Sequence, residues 1–162
     1  MSLTTAQLQA LQTDATVTNA ATVYQGETLG ARWAASDTAP LAYYNSLSTT
    51  PIWRKNSIDA LMVAVVWADY VALTPNGSLK QSAFLAMTQG TELDFQLQSI
   101  RDAIQAIFGV GSATLTNLLA VAKRNGTQLE ILLASAVVQG ARVSQVYEYQ
   151  LQAADVAAAR LV

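Results

Sequence analysis

The chain has 162 residues, of which 52% are apolar and 12% charged, with a net charge of −2 and neither Cys nor His. That length fits one domain with a real core, and the composition is too apolar for disorder. It carries no basic field for nucleic acid or anionic membrane, and it lacks disulfides, thiolate nucleophiles, most zinc sites and the usual neutral-pH acid/base.

Along the chain, "MSLTTAQLQ" shows neither the basic nor the apolar region of a signal peptide. Thr4 with Gln7 fits a capping box and Leu3 with Leu8 a hydrophobic staple, predicting a first helix with Leu8, Leu11 and Ala15 on one face. Between 16 and 57 the chain is Thr-rich and punctuated by Gly26, Gly30, Pro40 and Pro51. Short helices are expected near 27–35 and 39–46, followed by a loop through "SLSTTP".

Ser57 is placed to cap a broad apolar helix from Ile58 to Leu73. Its run "ALMVAVVWA" is about half of a ~20-residue membrane span, so a central buried helix is expected. "TPNG" at 74–77 reads as a turn, and Ser78 opens the next helix, which stops at Gly90. Asp94 reads as the cap of a helix carrying Leu97, Ile100, Ile104, Ile107 and Phe108 to Gly109. Ser112 or Thr114 opens "LTNLLAVAKR", closed by Asn125-Gly126, and Thr127 with Glu130 forms a second capping box before "QLEILLAS".

Then the periodicity changes. In "VSQVYEYQL" the residues Val143, Gln145, Tyr147, Tyr149 and Leu151 alternate with their neighbours, as in a strand. "SAVV" before Gln139-Gly140 can pair back with 142–146, but an isolated hairpin is marginal in water and offers its edge to another chain. The expected fold is mainly α: a compact bundle of about six helices over 1–141, with residues 142–162 as a C-terminal strand or hairpin arm.

No constellation nominates a reaction. Asp59 and Asp69 stand about 15 Å apart along a continuous helix, too far to share a substrate atom, and read as helix-end or surface carboxylates. "GVGSAT" has no preceding strand and no P-loop Lys, and reads as an interhelix turn. A catalytic residue, a cofactor and a metal are therefore not expected. "LTNLLAVAKRNGTQLEILLAS" has the outline of a helix-turn-helix, yet its second helix carries one acid and no base, so a plain helical hairpin is favoured over a DNA-binding regulator. Trp53, Arg54 and Lys55 in "IWRK" are candidates for a subunit interface, as are Val143, Tyr147, Tyr149 and Leu151.

The landmarks "SLTTAQLQAL", "IWRK", "VVWADYVALT", "SIRDAIQAIF", "LLAVAKRNGTQLEILLA" and "AADVAAAR" occur in this order, and together the chain resembles a family of small virion proteins of tailed bacteriophages. The resemblance implies a head–tail connector, or adaptor: a non-enzymatic protein made in the bacterial cytoplasm and built into the virion neck. It implies a homo-oligomeric ring between portal and tail components, through which packaged DNA passes without specific binding, and no membrane contact. Another capsid- or tail-associated virion role is the nearest alternative. Sparse surface charge fits a subunit covered by its neighbours, and mild acidity fits a lumen that does not hold phosphates. If 142–162 is an arm, truncation at 141 should leave a normally melting monomer without a ring.

Overall fold

Four helices begin where the sequence writes a cap. In a computed structural model that describes residues 2–73, 78–143 and 148–162, the side chains of Thr4, Ser57, Ser112 and Thr127 each accept a backbone N–H from the first turn of a helix. Thr4 and Thr127 complete the capping box, with the side chains of Gln7 and Glu130 reaching back to the cap backbone.

The chain divides into two units, Met1–Thr50 with Asn125–Val162, and Pro51–Arg124. Unit 1 opens with α1 (Thr5–Thr13), which runs into a π-helix (Asp14–Thr18). A small hairpin follows, β1 (Val23–Tyr24) with β2 (Glu27–Thr28), and then α2 (Leu29–Ala35) and α3 (Leu41–Tyr44). Its second half holds α9 (Gln128–Ser135), the hairpin β7 (Val137–Val138) with β8 (Ala141–Arg142), and α10 (Ala153–Ala159). α1 packs against α9 and α10, and the core joins Leu11, Leu29, Trp33 and Tyr44 to Leu133, Leu151 and Val156. The hairpin turns through Gln139 and Gly140, both at positive φ, as a tight two-residue turn requires.

Unit 2 contains β4 (Lys55–Ser57), α4 (Ile58–Ala64), α5 (Trp67–Val71), α6 (Ser78–Met87), β5 (Glu92–Asp94), α7 (Gln98–Phe108) and α8 (Ala113–Val121). β4 pairs antiparallel with β5, setting Lys55 opposite Asp94. α4, α7 and α8 enclose Leu61, Phe95, Ile104 and Leu118, while Phe84 meets Phe108 edge-on at 5.1 Å beside Ile107. Gly109 and Gly111 take positive φ between α7 and α8, so "GVGSAT" is an interhelix turn. Two strands, β3 (Leu47–Trp53) and β6 (Lys123–Thr127), carry the chain from one unit to the other and pair in one sheet.

Helix accounts for 53% of the described residues and strand for 17%. It is a mixed α/β fold, which corrects the expectation of a mainly α bundle of about six helices. The difference has three local causes. "SLSTTP" reads as a loop punctuated by Pro51, but Leu47–Trp53 form β3. In a two-stranded sheet every strand is an edge, where a proline's missing N–H is tolerated. "KRNGT" reads as the turn of a helical hairpin, yet it is strand β6, so α8 and α9 are not a helix-turn-helix pair.

The third cause is a break in the helix expected from Ile58 to Leu73. Val65 and Val66 are extended, with ψ of 123° and 119°. β-Branched side chains lower the cost of leaving the helix, and α8 supplies partners for the freed groups. Val66 N–H donates to the buried Thr114 hydroxyl at 2.9 Å, and Asn117 Nδ2 donates to the Ala64 carbonyl at 3.3 Å. In return Asp69 accepts the Thr114 N–H at 2.7 Å, satisfying one donor of the first turn of α8. Asp94, expected as a helix cap, lies instead in β5 and accepts from Gln96 N–H at 3.0 Å, while α7 starts four residues later without a side-chain cap. The "TPNG" turn falls outside the described residues.

Candidate interaction surfaces

The alternating segment at the C-terminus poses a hydrogen-bonding problem that the structure answers with side chains. Residues 144–147, Tyr147 among them, lie outside the described residues. On either side of them, Val143 and Leu151 are buried in the unit 1 core, where Val156 and Ala159 of α10 join them. Leu151 N–H donates to Asn45 Oδ1 at 2.7 Å, and Asn45 Nδ2 donates to the Leu151 carbonyl at 3.1 Å. One amide side chain thereby takes both backbone groups that a neighbouring strand would otherwise pair. Glu148 N–H donates to the buried Glu130 carboxylate at 2.6 Å, and the Tyr149 hydroxyl donates to Asp155 at 2.8 Å. Asp155 also accepts from Gln152 N–H at 2.9 Å, capping α10.

The described part of 142–162 is thus docked on its own chain, and Val143 and Leu151 serve the core. Nothing local in the sequence marks Asn45 for this task, because its partner lies 106 residues away. Glu130 carries two roles at once, and only the capping box is written in its neighbourhood.

Two phenols in unit 1 make stability fall in alkali. Burial, reinforced by the Asp14 charge, raises the Tyr44 pKa above its usual 10.0. Burial and the hydrogen bond to Asp155 push Tyr149 up to about 12. In the unfolded chain both ionise near pH 10, so above that pH the unfolded state sheds protons that the folded state retains. Stability from these groups is complete below pH 10 and is lost as pH rises through the folded values. The urea midpoint is expected to hold level between pH 7 and 9 and to fall above pH 10, and Tyr149→Phe should flatten that fall. An unchanged slope in the variant would remove Tyr149 from the account.

The "IWRK" residues form a clasp within unit 2. Trp53 is half-buried, with the Arg101 guanidinium 4.7 Å from its ring centre and the Lys123 ammonium at 4.3 Å. Arg101 in turn donates to the Phe95 and Gln96 carbonyls and to Gln98. Arg54 donates from Nε to the Val121 carbonyl at 3.2 Å, at the end of α8 where a cation is favoured. Lys55 faces Asp94 at 4.0 Å, an exposed pair worth little by itself. Trp53–Lys55 therefore belong to unit 2, and Val143, Tyr149 and Leu151 to unit 1.

The surface feature that periodicity concealed is apolar. Trp67 is 73% exposed, Val63 89% and Leu79 82%, all in unit 2. Trp67 follows directly on the break at Val65–Val66, at the start of α5. A continuous helix was expected to be covered on most sides, whereas Trp67 and Val71 of the short helix α5 stand outward, with the Tyr70 ring 5.6 Å from the indole.

Asp59 is exposed in the first turn of α4, and Asp69 is committed to α8. Among the described residues no group of three or more Asp and Glu is placed to hold a metal ion, and no helix is long and apolar enough to cross a membrane.

No family model matches the sequence, and comparison with curated proteins and with solved structures returns no match. The functional reading therefore rests on the surfaces themselves and on the order of the sequence landmarks.

Proposed function

We propose that the protein is a structural subunit of a tailed-phage virion, a head–tail connector or adaptor that forms a homo-oligomeric ring between portal and tail components. The observation that supports the assembly reading is the set of large apolar side chains exposed in unit 2, Trp67 and Val63 among them. Where such side chains adjoin in one patch they mark a surface that another protein covers, and tryptophan is among the residues that dominate such interfaces. The low charge content agrees, since few charged groups would have to be desolvated on burial. The place in the virion comes from the resemblance of the landmark order to small phage virion proteins.

In this reading the subunit acts by docking. The core of unit 2 holds the surface, and the C-terminal segment, fastened by Asn45 and Glu130, completes the core of unit 1. Trp67→Ser tests the surface directly. Because the side chain is largely exposed, folding stability should change by no more than about 0.5 kcal/mol. Association should weaken by at least about thirtyfold, the consequence of losing an interface anchor worth about 2 kcal/mol. Sedimentation and thermal melting of the variant measure both. Assembly equal to that of the wild type would exclude this face as the interface.

A further inference from the structure

A cleft of about 380 Å³ opens in unit 1, within the range of small-ligand sites. One wall is apolar, formed by Ile131 and Leu132 of α9 with Val137 and Val138 of β7, and the other carries Asp14, Asn19 and Tyr43. The π-helix builds the polar wall. Its wider turn brings residues five apart together, so Asn19 N–H donates to the Asp14 carbonyl at 2.8 Å and Asn19 Nδ2 to the Asp14 carboxylate at 2.7 Å. The Tyr44 hydroxyl donates to the other carboxylate oxygen at 2.8 Å.

Asp14 is only 5% exposed, and both of its side-chain partners are neutral. No cation pairs with it among the described residues: of the unit's three arginines, Arg32 pairs with Glu27, Arg160 pairs with Asp37, and Arg142 lies exposed on β8 with no ion pair to Asp14. A carboxylate offers about four acceptor positions, and two are taken here. A buried carboxylate without a positive partner is costly, and such groups are ordinarily paired. The burial and the Asp14 charge that together raise Tyr43, which also lines the cleft, agree with a negative field in the same space.

We propose that this cleft is a binding site for a cationic nitrogen on a short hydrocarbon stem. The ammonium or guanidinium would donate to the Asp14 carboxylate, and the stem would lie against Ile131, Leu132 and Val138. This chemistry belongs equally to a free alkylamine and to a lysine or arginine side chain of a partner protein. The assignment is independent of the connector reading, since it rests on the cleft and its uncompensated charge.

Calorimetric titration of the full chain tests it, with n-butylammonium, a capped lysine tripeptide and n-butanol as probes. Both cations should bind and the alcohol should not. Tighter binding of the tripeptide assigns the site to a partner's side chain, and tighter binding of butylammonium assigns it to a free amine. Asp14→Asn keeps an acceptor for Tyr44 and removes the charge, and should weaken cation binding at least tenfold. Ser135→Phe fills the cleft from α9 without touching the Asp14 bonds, and should abolish binding while the melting curve remains that of a folded protein. The proposal is overturned if neither cation binds, if butanol binds as well as butylammonium, or if folded Ser135→Phe binds like the wild type.

Discussion

A chain ending at residue 141 is expected to lose the fold of unit 1. The deletion removes Val143, Leu151, Val156 and Ala159 from its core and uncovers the α1 face that packs on α10. Leu151 is 1% exposed, and truncating a buried leucine to alanine costs about 2–5 kcal/mol. Removing four core residues together costs an amount comparable with the roughly 5–15 kcal/mol that typically holds a whole domain, once the lost hydrogen bonds to Asn45 and Glu130 are included. This reverses the sequence expectation of a normally melting truncated monomer. Leu151→Ala is the graded version, with an expected loss of about 3 kcal/mol in urea unfolding. A truncated chain with the melting temperature of the full protein would contradict this account of the C-terminal segment.

Glu130→Leu is expected to cost about 3 kcal/mol, although leucine suits the apolar surroundings of Leu129 and Leu133. The carboxylate is fully buried and accepts from Thr127 N–H at 2.8 Å and Glu148 N–H at 2.6 Å. Leucine leaves both donors without that acceptor, and each orphaned buried donor costs about 1–3 kcal/mol. Glu148 adds to the dependence, because it holds a positive φ of 56° that a non-glycine residue adopts only when its surroundings enforce it. Glu130→Gln retains one carbonyl acceptor and should lose about half as much. Hydrogen exchange at the Glu148 amide reports the same bond, and should accelerate in Glu130→Leu. Stability within 0.5 kcal/mol of the wild type, on the order of a surface substitution, would show that Glu130 does not hold the segment.

These two residues also mark where the sequence could be read and where it could not. The capping boxes at Thr4 and Thr127 are local, three residues wide, and each starts a helix in the structure. The hairpin through Gln139-Gly140 is equally local. By contrast, β3 and β6 are named by no composition signal, since each exists through a partner some seventy residues away. The helix break at Val65–Val66 depends on Thr114 and Asn117, which lie on α8. Apolar periodicity ran through the break unaltered, so one continuous buried helix was expected where Trp67 stands on the surface. The alternation of "VSQVYEYQL" reads as a strand, yet its described residues, Val143 and 148–151, form none: Glu148 takes a positive φ, and Asn45 pairs with the Leu151 backbone in place of a partner strand. The Asp14 cleft escaped reading because a π-turn, unlike an α-turn, leaves no period of its own in five residues.

The assembly role is tested most directly by one measurement, the mass of the 162-residue protein by light scattering, alone and after mixing with a purified portal protein. A structural ring subunit whose apolar surface is covered by its neighbours predicts a single defined oligomer, formed by itself or on the portal, and its loss in Trp67→Ser. A monomeric mass in both samples, at concentrations well above those of a virion assembly site, would contradict it.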